Sequence, residues 1–229
     1  MADLEEAERI ALKNRERFKN DLIKPKLNPD QVMRYYDDWS STYDDTMYTG
    51  ELGYSNFTGL CEVLTELLPK DADRSKLRAL DLGCGTGIIG KQLRELLGFR
   101  LVDGVDGSPG MIAQAEKLGI ICRGYVEIVE NRSLTQVPHG VYDVVVSKGA
   151  YVPNHVKPNS LPFVGELLKP GGLLCTEIRR SVIEETDIGE IEPEAKKMEA
   201  SGGWKILKWR HESVYNLNVP GFIYVLQKL

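Results

Sequence analysis

Asp81 is followed by glycines at every second position, in the run Ala79-Leu80-Asp81-Leu82-Gly83-Cys84-Gly85-Thr86-Gly87. A short apolar run closes on an acid and then on residues free of side chains. An apolar helical stretch, Ile88 to Leu97, follows, so the segment reads as strand, tight turn and helix. Glycine permits positive φ and close approach of the backbone to a ligand. A helix N-terminus aimed at such a turn offers unpaired N–H groups. The chemistry implied is the cradling of a nucleotide-like ligand. A second acid, Asp106, comes 19 residues after Gly87 in the string Gly104-Val105-Asp106-Gly107-Ser108-Pro109-Gly110-Met111. It closes the next strand, beside the first and on the ligand side of the sheet, where a carboxylate can accept ribose hydroxyls. Ser108 then caps a helix with Pro109 at its first position. Asp103 lies inside the strand and is assigned a structural role. Three groups are candidates for taking a proton, Tyr36, Lys148 and His155, and none is assigned as catalytic. Lys148 is expected as a solvated lysine in a loop.

The elements that must position these residues follow from periodicity. Leu4, Ala7, Ala11, Phe18 and Leu22 mark a marginal amphipathic helix over 1–24. The Pro25–Pro29 region breaks it, and a second helix runs to about Ser41. On that helix Val32, Tyr36, Trp39 and Tyr43 recur at spacings of four, three and four, so they share one face. Tyr54–Leu68 forms another helix, with Phe57, Leu60, Cys61, Leu64, Leu67 and Leu68 inward. From Leu77 strands and helices alternate, the pattern of a parallel sheet with helices on both faces. Strands are expected at 77–82, 101–105, 125–129, 142–147, 172–178, 204–215 and 220–227, the last two as an antiparallel hairpin. Helices are expected at 87–97, 109–117, 159–168 and 192–201. The division is a helical cap or lid over 1–70 and an α/β core over 71–229.

The chain has 229 residues, enough for one generous α/β domain and short for a dinucleotide domain plus a substrate domain. Its net charge of −5 argues against a broad nucleic-acid footprint. No apolar run is long enough to span a membrane, and Met1 to Asn20 lacks the apolar stretch of a signal peptide. Cys61, Cys84, Cys122 and Cys175 are scattered in apolar contexts and read as reduced core thiols. His139, His155 and His211 form no metal-ligand spacing, so no metal is expected. The expected protein is an intracellular monomer of the cytoplasm or the nucleus.

Two ligands compete for the glycine turn. Gly85-Thr86-Gly87-Ile88-Ile89-Gly90 satisfies G-x-G-x-x-G, which keeps open an NAD-dependent oxidoreductase. The longer rhythm Asp81-x-Gly83-x-Gly85-x-Gly87 instead resembles motif I of the class I S-adenosylmethionine-dependent methyltransferases. Tyr35-Tyr36-Asp37-x-Trp39, the Gly104–Met111 string and the turn Lys169-Pro170-Gly171-Gly172 accompany it. Together, over residues 30 to 180, they resemble the methyltransferase-like family of the Williams–Beuren syndrome region. The resemblance implies a Rossmann-like seven-stranded, mostly parallel sheet of order 3-2-1-4-5-7-6 with an N-terminal helical lid. It implies S-adenosylmethionine as cofactor and S-adenosylhomocysteine as product. Asp81, Gly83, Cys84, Gly85 and Gly87 would run beneath the methionine part, and Asp106, Gly107, Ser108 and Met111 would meet the ribose side. Glu130 and Asn131, in the stretch after the third strand, would meet the adenine. Ser147 would stand at the end of the fourth strand, and Tyr36, Trp39 and Tyr43 would form the lid. The lid pattern is carried by Tyr36-Asp37-Asp38-Trp39-Ser40-Ser41-Thr42-Tyr43-Asp44. The resemblance implies methyl transfer to an N, O or S nucleophile of a small molecule or protein, with no acceptor named. The alternative from another class is a non-catalytic S-adenosylmethionine-binding module acting through a partner.

Overall fold

The computed structural model describes residues 19–23, 26–47, 58–216 and 219–229. Seven strands form one sheet: β1 (Arg78–Leu82), β2 (Leu101–Asp106), β3 (Gly124–Val126), β4 (Tyr142–Lys148), β5 (Leu168–Arg179), β6 (Trp204–Asn216) and β7 (Val219–Lys228). Their order is β3-β2-β1-β4-β5-β7-β6. β3, β2, β1, β4 and β5 are parallel, and β7 joins β5 and β6 antiparallel. This is the expected order. The reversal of direction either side of β1 and β4 leaves a crevice at their carboxyl ends, the general ligand position of such sheets.

Both sheet faces are covered, so the central strands read as continuous apolar runs. On one face Ala79, Val102, Val144, Val146, Cys175 and Val225 pack against α3 (Gly59–Leu67) and α4 (Ile88–Leu97), through Leu60, Leu64, Ile89 and Leu93. On the other, Leu80, Leu82, Val105, Val145 and Leu174 meet α6 (Leu161–Gly165), α7 (Arg180–Glu185) and α8 (Ile191–Ala200). The side-chain alternation of β1 thus turns Leu80 and Leu82 one way and Ala79 and Asp81 the other. α5 (Pro109–Lys117) carries the expected Ser108 cap, whose Oγ accepts from the Met111 amide at 3.1 Å. Asp103 accepts from the Arg78 guanidinium at 2.7 Å and from the Tyr142 hydroxyl at 3.0 Å, an internal structural bond.

The helix expected to end near Ser41 is two. α1 (Pro29–Trp39) starts on a reciprocal Asn28–Gln31 capping box and gives way to a 3-10 turn over Ser40–Thr42, after which α2 (Tyr43–Met47) begins. The helix expected over 159–168 is shorter, because β5 already begins at Leu168, ahead of the expected 172. β3 stops at Val126 rather than 129. α7 and the turn after it, Asp187–Glu190, are additional to the expected elements. The 1–24 helix lies outside the described residues except for Lys19–Ile23, and Phe57 lies outside them too. Cys61, Cys84 and Cys175 are buried, but Cys122 is exposed, its loop position leaving it at the surface. Among the described residues no helix is long and apolar enough to cross a membrane.

Candidate active site

A cavity of about 670 Å3 opens where β1, β2 and β4 end, roofed by residues of α1 and α2. Ligand sites span roughly 300 to 1,000 Å3, so the cavity is of cofactor size. Its floor is the turn after β1. The Gly83 and Cys84 amides donate to Val105 O at 2.8 and 3.1 Å, binding the turn to β2. Gly83 and Gly85 sit at φ of +67° and +52°, the left-handed region that glycine tolerates. A Cβ at Gly83 would stand 2.6 Å from the Ala150 Cβ, whereas at Gly85 it would meet none of the described residues within 4 Å. Gly85 is therefore bare towards open space, and it lines the cavity.

Asp106 knits this floor together. Its Oδ2 accepts from the Gly85 amide and its Oδ1 from the Ser108 amide, both at 2.9 Å. Each carboxylate oxygen retains a further lone-pair direction for a ligand hydroxyl. Burial pushes this carboxyl upward, and the two amides work against that shift. Asp81 has a different station. It is 1% exposed, does not line the cavity, and accepts from the Gly90 amide at 2.9 Å, which seats the first turn of α4. Burial raises its carboxyl to about 7.

Of the residues singled out from the sequence, Tyr36, Tyr43, Gly83, Cys84, Gly85, Asp106, Gly107, Met111, Glu130 and Asn131 line the one cavity. Trp39, Asp81, Gly87, Ser108 and Ser147 lie behind that lining. Trp39 is buried against Tyr36 and Tyr43, with ring centroids at 6.4 and 4.8 Å. The helical break between Trp39 and Tyr43 thus leaves the aromatic face intact. Ser108 caps α5, and Ser147 is fully buried, its hydroxyl without a hydrogen-bond partner among the described residues.

Lys148 is not the solvated lysine its loop-end position implied. Its side chain is 3% exposed and ion-paired with the fully buried Glu177 on the neighbouring strand, because Lys148 and Glu177 stand in register between β4 and β5. Burial draws its ammonium down to about 8, opposed by Glu177. His155 and Tyr36, both in the cavity lining, are hydrogen-bonded to each other at 2.9 Å.

Two residues that hold the roof down were read from sequence only as part of a pattern. Asp37 accepts from the Ser108 hydroxyl and, at 2.9 Å, from the Gly110 amide, so α1 is docked on the N-terminus of α5. Asp44 accepts from the Thr86 hydroxyl at 2.6 Å, tying α2 to the glycine turn. Each follows a cavity-lining tyrosine, and the repeated Tyr-Asp pair, seven residues apart, was the available signal. Arg179 and Tyr215, also in the lining, lie where the sequence offered no motif.

A glycine cradle open to the cavity, a carboxylate at the end of β2 with acceptor capacity left, and polar groups beyond β3 suit a nucleoside carrying an amino-acid tail. Sheet order and cradle together define a class I methyltransferase. A methyltransferase-domain family model matches residues 79–172. Human methyltransferase-like protein 27 is 32% identical over 180 residues, 78% of this chain and 71% of that protein. Trans-aconitate 2-methyltransferase of Streptomyces avermitilis is 30% identical over 109 residues, 46% of this chain and 40% of that protein. Among solved structures, a TehB-like S-adenosylmethionine-dependent methyltransferase from Corynebacterium glutamicum has a TM-score of 0.56 at 18% identity, covering 88% of this chain and 100% of that one. The [4+2]-cyclase SpnF reaches 0.61 at 15% identity, covering 89% and 98%, a likeness of fold alone. The chain belongs to the class I S-adenosylmethionine-dependent methyltransferases.

Proposed function

We propose that this protein transfers the methyl group of S-adenosylmethionine to a nitrogen, oxygen or sulfur nucleophile of a small molecule or protein, within the cavity below α1 and α2. The observation that carries the reading is Gly85: a bare, left-handed residue lining the cavity, its amide fixed by Asp106. When bound, the cofactor supplies a sulfonium-activated methyl whose S–C bond breaks as the bond to the acceptor forms. Asp106 would accept the ribose hydroxyls, and Glu130 and Asn131 would meet the adenine. Gly83, Cys84 and Gly85 would pass beneath the methionine part, with Gly107 and Met111 completing the ribose side. Trp39, Asp81, Gly87, Ser108 and Ser147 would support these groups from behind. The helices within the cap at 1–70 would serve as lid to the core at 71–229, Tyr36 and Tyr43 excluding water. With an activated donor, the chief tasks left to the protein are alignment of donor and acceptor and removal of water.

Calorimetry with S-adenosylhomocysteine and, separately, NAD tests the reading. Binding of the homocysteine ligand and not of NAD is expected. Asp106→Ala should weaken it by about 1–3 kcal/mol, the cost of unpaired polar groups. Tight NAD binding without the homocysteine ligand would overturn the cofactor assignment. A cofactor that binds but yields no labelled product with any acceptor pool would reduce the protein to a binding module.

A further inference from the structure

We propose that the end of the cavity beyond β4 and β5 is built to hold a small carboxylic acid through Arg179. This rests on the methyltransferase reading and names its class of acceptor. Arg179 is the last residue of β5, two positions beyond Glu177 on the same face of the strand, and it lines the cavity. Of the two cations here, Lys148 is neutralised by Glu177. Among the described residues Arg179 has no such partner, and its guanidinium carbon lies 5.2 Å from the centre of the Tyr215 ring. The Lys148 ammonium lies 4.6 Å from the centre of the same ring. A Cβ at Gly149 would come within 3.0 Å of the Tyr215 hydroxyl, so the exit from β4 is cut back to admit this tyrosine.

A guanidinium laid against a ring keeps its edge N–H groups for a planar anion, which it grips with two parallel bonds. At the rim, Lys157 is committed to Asp187 at 3.3 Å, and Glu185 is exposed to water. Among the described residues, the uncommitted charge at this end of the cavity is therefore a single positive one, away from Asp106 at the end of β2. It matches a carboxylate; a phosphate dianion would call for a second cation, and Glu177 has already taken it. Ser181 adds a hydroxyl donor to the lining, whereas the Thr186 hydroxyl is spent on Val182 O, and Val152 and Val182 add apolar surface. The acceptor must be small, because one cavity of about 670 Å3 has to house it together with the cofactor.

The test titrates glutarate, its uncharged diamide and inorganic phosphate into the full chain saturated with S-adenosylhomocysteine. Glutarate should bind, the diamide and phosphate should not. Arg179→Gln should cost glutarate at least about tenfold, the scale of a charge-assisted pair, with Arg179→Lys recovering part of it. Retained affinity for S-adenosylhomocysteine shows that each variant is folded. Equal binding of diamide and glutarate, tighter binding of phosphate, or an indifferent Arg179→Gln overturns the inference. In parallel, small molecules from a cell extract are split by anion exchange before incubation with methyl-labelled cofactor. Label taken up by the anionic pool supports the inference, and label confined to the other pool overturns it while leaving methyl transfer intact. Arg179-dependent glutarate binding with label in neither pool supports the anion site and sinks transfer to a small molecule alone.

Discussion

The Tyr36 hydroxyl and His155 Nε2 lie 2.9 Å apart, joining α1 to the loop that leaves β4. The bond has a direction. His155 Nδ1 is 2.9 Å from Pro153 O, and a carbonyl only accepts, so Nδ1 carries the proton and Nε2 accepts from Tyr36. Burial favours this neutral imidazole, holding His155 below its usual range, and keeps the phenol protonated by raising Tyr36. The same loop is tied a second time, by the Asn154 side chain donating to Leu22 O at 2.8 Å. The cavity is thus closed at the His155 loop by contacts that bridge N-terminal segment and core.

That closure should loosen in acid. The folded-state pKa of His155 is lowered, so between it and the unfolded value of about 6.5 the unfolded chain binds more protons. The site's contribution is fully present above about 6.5 and is lost as pH falls through the folded value. Melting temperatures of the wild type and His155→Gln should therefore differ most near about pH 8 and converge towards about pH 5. Parallel curves across that range would refute the assignment. Tyr36→Phe should cost about 0.5–1.5 kcal/mol, one hydrogen bond.

The roof should be held chiefly by two carboxylates. Asp37 satisfies the Gly110 amide in the first turn of α5, and Asp44 binds Thr86 beside the glycine turn. Asp37→Ala leaves that amide and the Ser108 hydroxyl without their partner, at about 1–3 kcal/mol. Protease cleavage within 26–47 should accelerate in Asp37→Ala, and more in the double variant with Asp44→Ala. Cleavage at the wild-type rate would show that the aromatic stack alone seats α1.

The sheet was legible because its strands are buried on both faces and its turns carry glycine and proline at the right places. Asp106 and the Gly83–Gly85 turn were legible for the same reason: local backbone demands dictate both. Lys148 was misjudged because its partner, Glu177, is 29 residues away and is brought alongside only by strand register. Arg179 and Tyr215 were invisible, since a cation on a ring leaves no spacing in the chain. The helix expected over 159–168 is present, but its end at Gly165 and the start of β5 at Leu168 escaped, because an apolar run cannot by itself say where helix ends and strand begins.

The Lys148–Glu177 pair should be costly to break and cheap to remove. Both side chains are buried, so Glu177→Leu strands an ammonium away from water, at about 3–5 kcal/mol, while an apolar pair of like volume escapes both desolvation costs. Chemical denaturation of Glu177→Leu, Lys148→Met and the double variant forms the cycle. The double variant should be more stable than Glu177→Leu alone. A double variant as unstable as the sum of its parts would mean that the two groups do not interact.

Gly83 and Gly85 sit two residues apart, both at positive φ, yet they should respond differently to alanine. Both pay for a left-handed conformation, roughly 1 kcal/mol. At Gly83 the new methyl also runs into the Ala150 Cβ, 2.6 Å away, and the strand end must shift. Gly83→Ala should therefore lose stability well beyond the backbone term. At Gly85 the methyl projects into open space within the cavity lining. Gly85→Ala should melt close to the wild type, and its affinity for S-adenosylhomocysteine should fall at least about tenfold, because the methyl occupies room the ligand needs. Calorimetry paired with thermal unfolding separates the two effects. If Gly85→Ala binds the ligand as well as the wild type does, the cofactor does not lie on this turn.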